Sequence, residues 1–135
     1  MKYLLISMLV LFVCGSVSGQ EKDMMVRVSE IEIDPDYLED YKLILKEEAQ
    51  ASMRLEPGVI SIYPMYRKDN PSHVTILEIY ASRDAYESHL KTKHFLKYKT
   101  STLEMVKSLQ LIDMEAIDAE TMPEIFSKLR DSKKE

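Results

Sequence analysis

Three histidines occur in the chain, and two of them stand five residues apart in YESHLKTKHFLKY, Tyr86 to Tyr98, beside aromatic residues. An imidazole changes charge near neutral pH, so it can act as acid, base or metal ligand. Positions five apart on a continuous helix differ by about 140° around its axis. His89 and His94 therefore cannot chelate one ion from an unbroken helix, although a break near Thr92 would reorient them. No cluster of acids or cysteines adjoins them at ligand spacing, so no bound metal is expected. His89 shares a helical face with Ala85 and should point toward the sheet, where a neutral ring can take a phenolic proton. The competing reading is a core histidine that orders the helix break. His94 is the second candidate, more suited to capping or packing, and His73 reads as a solvated residue at a loop edge.

Glu78 interrupts an apolar strand face that holds Val74 and Ile76. A carboxylate there is costly unless it is paired. It is a candidate to hold a histidine or touch substrate, or it pairs structurally with Arg27 or a lysine. Tyr63, Tyr66, Tyr80, Tyr98 and Phe95 are candidates to line an aromatic pocket, although each tyrosine alone better suits a core or a dimer contact.

The elements that position these residues follow from local pattern. Met24 to Ile33 is rich in β-branched residues and partly alternates, which predicts a strand. Asp34-Pro35 starts a helix, and Leu38, Tyr41, Leu45, Ala49 and Ser52 recur along it at helical spacing. Glu56-Pro57-Gly58 ends it, with the glycine expected to tolerate a sharp exit. Val59–Arg67 and His73–Ala81 predict a hairpin, with Pro64 requiring an edge position or a bulge. Ser82 caps a second helix. A further helix carries Phe95, Tyr98, Thr102, Met105 and Leu109, and Leu109–Ile117 closes with a strand. Thr121 and Glu124 fit a capping box for one short terminal helix. The order β-α-β-β-α-β is ferredoxin-like, an α+β fold with an antiparallel sheet.

Two helices cover one face of such a sheet, and the other should be polar if it meets water. It is not: Val74 and Ile76 oppose Leu77 and Ile79, and Ile112 and Met114 oppose Leu109 and Leu111. A second copy, sheet against sheet, is the expected partner, making the protein a homodimer. The alternative is that the C-terminal tail folds under that face.

The first residues carry Lys2, an apolar run from Tyr3 to Cys14, and Val17 and Gly19 at the −3 and −1 positions before Gln20. This predicts a signal peptide over residues 1–19, a domain over 20–117 and a C-terminal extension over 118–135. The run falls short of the roughly 20 apolar residues that span a bilayer, so no stable membrane insertion is expected and the mature protein would be secreted or periplasmic. Anchoring as a lipoprotein through Cys14 is disfavoured by bulky Val13. Cleavage removes the only cysteine, leaving no disulfide. A formal net charge of −5 without a basic cluster argues against a nucleic-acid partner.

RLEPGV followed by HVTILEIYASRDAYESHLKTKHF resembles the antibiotic biosynthesis monooxygenase domain, in particular its quinol monooxygenase-like branch. The residues that carry the resemblance are Glu56-Pro57-Gly58, Glu78-Ile79-Tyr80 and His89 through Phe95, and it extends over about residues 24 to 117. It implies a dimeric α+β barrel and, for some members, oxidation of small aromatic or quinol-like molecules by O2 with no cofactor. Other members cleave haem or isomerise small sugars. Lys93 stands where the family commonly has proline, and the tryptophan typical of haem-degrading members is absent. The expected activity is a cofactor-free monooxygenase with His89 as base, relayed through Glu78. The alternative is a non-catalytic periplasmic module that binds a small ligand.

Overall fold

The computed structural model describes residues 24–133. The expected signal peptide lies outside them. The chain order is β1 (Met25–Ile33), α1 (Leu38–Leu55), β2 (Val59–Tyr66), β3 (His73–Tyr80), α2 (Arg83–His89), α3 (Lys93–Thr102), β4 (Val106–Met114) and α4 (Thr121–Asp131). The strands form one antiparallel sheet in the order β2-β3-β1-β4, which is the ferredoxin-like topology.

The punctuation residues act as their chemistry dictates, with two exceptions. The Asp34 carboxylate accepts from the Asp36 N–H, and Pro35 opens a single 3-10 turn that runs into α1. Pro64 sits on β2, an edge strand where its missing N–H costs no ladder bond. Gly58, in contrast, has no positive φ. Its role is close approach: a Cβ placed on it would stand 2.6 Å from the Cβ of Ala85 at the start of α2. The predicted capping box on α4 does not form either. Thr121 Oγ1 donates to Asp118 Oδ2 at 2.6 Å instead, and the residue before the helix makes no side-chain cap.

The last strand begins three residues earlier than its apolar pattern suggests. Val106 through Met114 pair with β1, so α3 ends at Thr102, Met105 lies in the turn and Leu109 belongs to the sheet. Cross-strand bonding decides this where spacing alone reads equally well as helix.

Register assigns the two faces. Arg27, Ser29 and Ile31 stand opposite Glu78, Ile76 and Val74, on the side that α1, α2 and α3 cover. The core between them contains Ile31, Ile33, Tyr41, Leu45, Ala49, Ile62, Val74, Ile76 and Tyr80. Each such aliphatic side chain contributes about 1.5–3 kcal/mol on burial. The other face carries Val26, Val28, Leu77, Ile79, Ile112 and Met114. Tyr63, Met65 and Met114 on that side remain exposed, and α4 buries none of its own residues.

Gly58→Ala should destabilise the domain by about 1–3 kcal/mol through overpacking against α2. Urea unfolding reads the loss, and adding Ala85→Gly should restore most of it.

Candidate active site

The two histidines meet because the helix breaks between them. α2 ends at His89 and α3 begins at Lys93, with Thr92 as the hinge. Thr92 Oγ1 accepts from the Phe95 N–H at 3.3 Å and donates to the His89 carbonyl at 2.8 Å, which fixes the turn. Both rings then reach one oxygen. Glu56 Oε2 lies 2.9 Å from His89 Nδ1 and 2.6 Å from His94 Nε2. Burial works to raise the Glu56 carboxyl, but the hydrogen bonds from His94 and His89 outweigh it and hold the group below the ordinary carboxylate range. An ionised carboxylate only accepts, so these two ring nitrogens carry the protons.

That bond sets the far side of His89. With Nδ1 protonated, Nε2 of the neutral ring holds a lone pair. It stands 3.6 Å from Glu48 Oε1. Ser52 Oγ donates to the same Glu48 oxygen at 2.6 Å. His89, Glu48 and Ser52 are all buried, and burial pushes the Glu48 carboxyl up. Ring contacts with Tyr80 and Phe95, at 5.5 and 4.8 Å between centroids, hold the imidazole in place.

Beside this group a cavity of about 610 Å³ opens between the sheet and the helices. Ile31, Leu45, Ile62, Ile76 and Phe95 give it apolar walls, and Glu48 and His89 lie in its lining. A second polar group faces it from the sheet. Glu78 accepts from Ser29 Oγ and, at 2.8 Å, from the Tyr80 hydroxyl. Burial, and then the charge of Glu78, pushes the Tyr80 hydroxyl far above its ordinary value, so it remains a donor. Arg27, directly opposite Glu78 in register, does not pair with it. Its guanidinium goes to Asp113 and to the Tyr86 hydroxyl, each at 2.9 Å, and lies over the Tyr86 ring.

The candidates read from sequence thus divide. His89, Glu78, Tyr80, Tyr98 and Phe95 share the cavity lining. His94 is not in the lining but is joined to His89 through Glu56. Tyr63 and Tyr66 lie elsewhere. Tyr63 is exposed on the opposite face of the sheet, and Tyr66 sits under the Lys42 ammonium beside a smaller depression. His73 is not simply solvated, since its Nε2 lies 2.6 Å from Glu30 Oε2. Glu48, Ser52 and Glu56 were missed as a group, and with them the acids that stand near the histidines. Glu48 did carry a signal: it lies seven residues from Tyr41 on the buried stripe of α1, an acid on an apolar face as Glu78 is.

The structure is thus an α+β domain with a mostly apolar cavity and, at the cavity wall, a histidine held by a carboxylate. The sequence profile of the antibiotic biosynthesis monooxygenase family matches residues 24–101. The chain is 56% identical to a candidate antibiotic biosynthesis monooxygenase of Bacteroides thetaiotaomicron, with a TM-score of 0.70 over 70% of this chain and 90% of that one. It is 30% identical to a candidate monooxygenase of Lactobacillus acidophilus, with a TM-score of 0.68 over 70% of this chain and 45% of that one. A candidate family protein of Nitrosomonas europaea, 20% identical, shares the fold with a TM-score of 0.67 over 71% of this chain and 92% of that one. No curated protein matches. The chain belongs to the antibiotic biosynthesis monooxygenase family.

Ser52→Ala removes a fully buried donor to Glu48 and should lower stability by about 1–3 kcal/mol. Chemical denaturation measures this, and Ser52→Thr, which keeps the hydroxyl, should lose less.

Proposed function

We propose that the chain is a cofactor-independent monooxygenase acting on a small aromatic, quinol-like molecule with O2. One observation carries the reading: Glu56 Oε2 lies 2.9 Å from His89 Nδ1, an arrangement that favours a proton there and leaves the buried Nε2 at the wall of an apolar cavity. Membership of the family and the monooxygenase assignment of the similar chains support it.

In this reading the substrate ring lies against the aliphatic walls with a phenolic hydroxyl at His89. His89 takes the proton, and Glu56 stabilises the imidazolium that forms. The electron-rich phenolate then reacts with O2 to give a hydroperoxide, which loses water. For a hydroquinone the products are a hydroxyquinone and one water. The hydrogen-bonded Glu78 carboxylate would accept from a second hydroxyl and orient the ring. Exclusion of water strengthens these interactions in the low-dielectric pocket.

The same reading has the protein act outside the cytoplasm as a homodimer. The composition of its first residues supports secretion. The apolar sheet face formed by Val28, Leu77 and Ile112 supports pairing of two copies.

Oxygen uptake over a panel of dihydroquinones tests the activity. His89→Ala should cut kcat by roughly a hundredfold to ten-thousandfold, and Glu56→Gln should cut it less. No uptake with any substrate, or full activity in His89→Ala, would refute the proposed base. Sedimentation should show a dimer that Leu77→Lys converts to a monomer, and a wild-type monomer at micromolar concentration would exclude the pairing.

A further inference from the structure

We propose that Glu48, His89 and His94 form a binding site for a divalent transition-metal ion of the zinc or cobalt type, with an open coordination position facing the cavity. One ligand atom from each residue lies within 4.8 Å of the others. A tetrahedral ion with bonds of about 2.1 Å sets its ligands about 3.4 Å apart, so the cluster must tighten by up to about 1.4 Å at its widest. Glu48 Oε1 and His89 Nε2, 3.6 Å apart, already stand near that spacing.

The surroundings suit an ion in three further ways. Glu56 bonds His89 Nδ1, which leaves the Nε2 of that ring free to ligate and gives the carboxylate–histidine support typical of metal-bound imidazoles, whereas His94 must ligate through Nδ1 or give up its Nε2 proton and the bond to Glu56. Glu48 receives only Ser52 at one oxygen, so lone pairs remain. A dication would compensate the cost of holding the buried Glu48 carboxylate in its charged form. The donor set of two imidazoles and a carboxylate selects a borderline cation over Mg2+ or Ca2+, which prefer all-oxygen shells. Because Glu48 and His89 line the cavity, a water or ligand atom can take the fourth position. An ion held there also occupies the lone pair of His89. Bound zinc should therefore suppress oxygen uptake, a consequence that rests on the function proposed above.

The test is direct binding to the purified protein, independent of activity. Titration with Co2+ should give the visible d–d bands of a four-coordinate site. Dialysis against Zn2+ should leave one ion per chain, and the ion should raise the Tm. His94→Gln and Glu48→Gln should each weaken binding at least tenfold, whereas His73→Gln, at the separate Glu30 pair, should leave it unchanged. Circular dichroism melts of the metal-free variants check that they fold, and the partly exposed position of His94 makes its substitution the milder one. Absence of stoichiometric binding, or binding that survives both substitutions or depends on His73, overturns the site. If Co2+ binds as expected while no substrate consumes oxygen, the site stands and the oxygenase reading alone falls.

Discussion

One carboxylate oxygen joins three helices. Glu56 sits just past the end of α1, and its Oε2 takes a proton-bearing nitrogen from the last residue of α2 and another from the first turn of α3. The geometry needs the helix break at Thr92, the turn at Pro57 and the close seat of α2 over Gly58 all at once. Moving any of these would leave a buried acid or a buried imidazole without its partner, and the low dielectric makes that expensive. The cavity wall is therefore held by charge-assisted bonds where one would otherwise expect only packing.

The sheet adds a second, separate polar unit. Ser29 and Tyr80 both donate to Glu78, while Arg27 is drawn away to Asp113 and Tyr86. The cavity thus faces two acids on different elements, one on α1 and one on β3, with aliphatic side chains between them. A ligand that matches it carries hydrogen-bond donors at separated positions on an apolar body.

Much of this was legible in the sequence. Asp34-Pro35, Pro64 and the alternation of β3 fix local structure through backbone rules that need no distant partner, and the order of elements followed. Glu78 stood out because it breaks an apolar strand face, and His89 because it stands five residues from His94 among aromatic residues. Glu56 and Glu48 did not stand out as a set, since Glu56 lies 33 and 38 residues from the histidines it joins. Spacing along one helix says nothing about an acid delivered from another. Register likewise decided where β4 begins, and only folding could show that Arg27 turns from Glu78 toward Asp113. Gly58 was noticed for the right position and the wrong property, because a turn and a tight helix seat look the same in a string of letters.

The last strand has an unusual place in this design. Leu109 and Leu111 face the helices yet remain half exposed, because the cavity takes up the space between them and α3. They line the chamber without bracing the core. Substitutions there can reshape the chamber while leaving the bonds among Glu48, Glu56 and His89 untouched. This outer wall can thus vary at low structural cost.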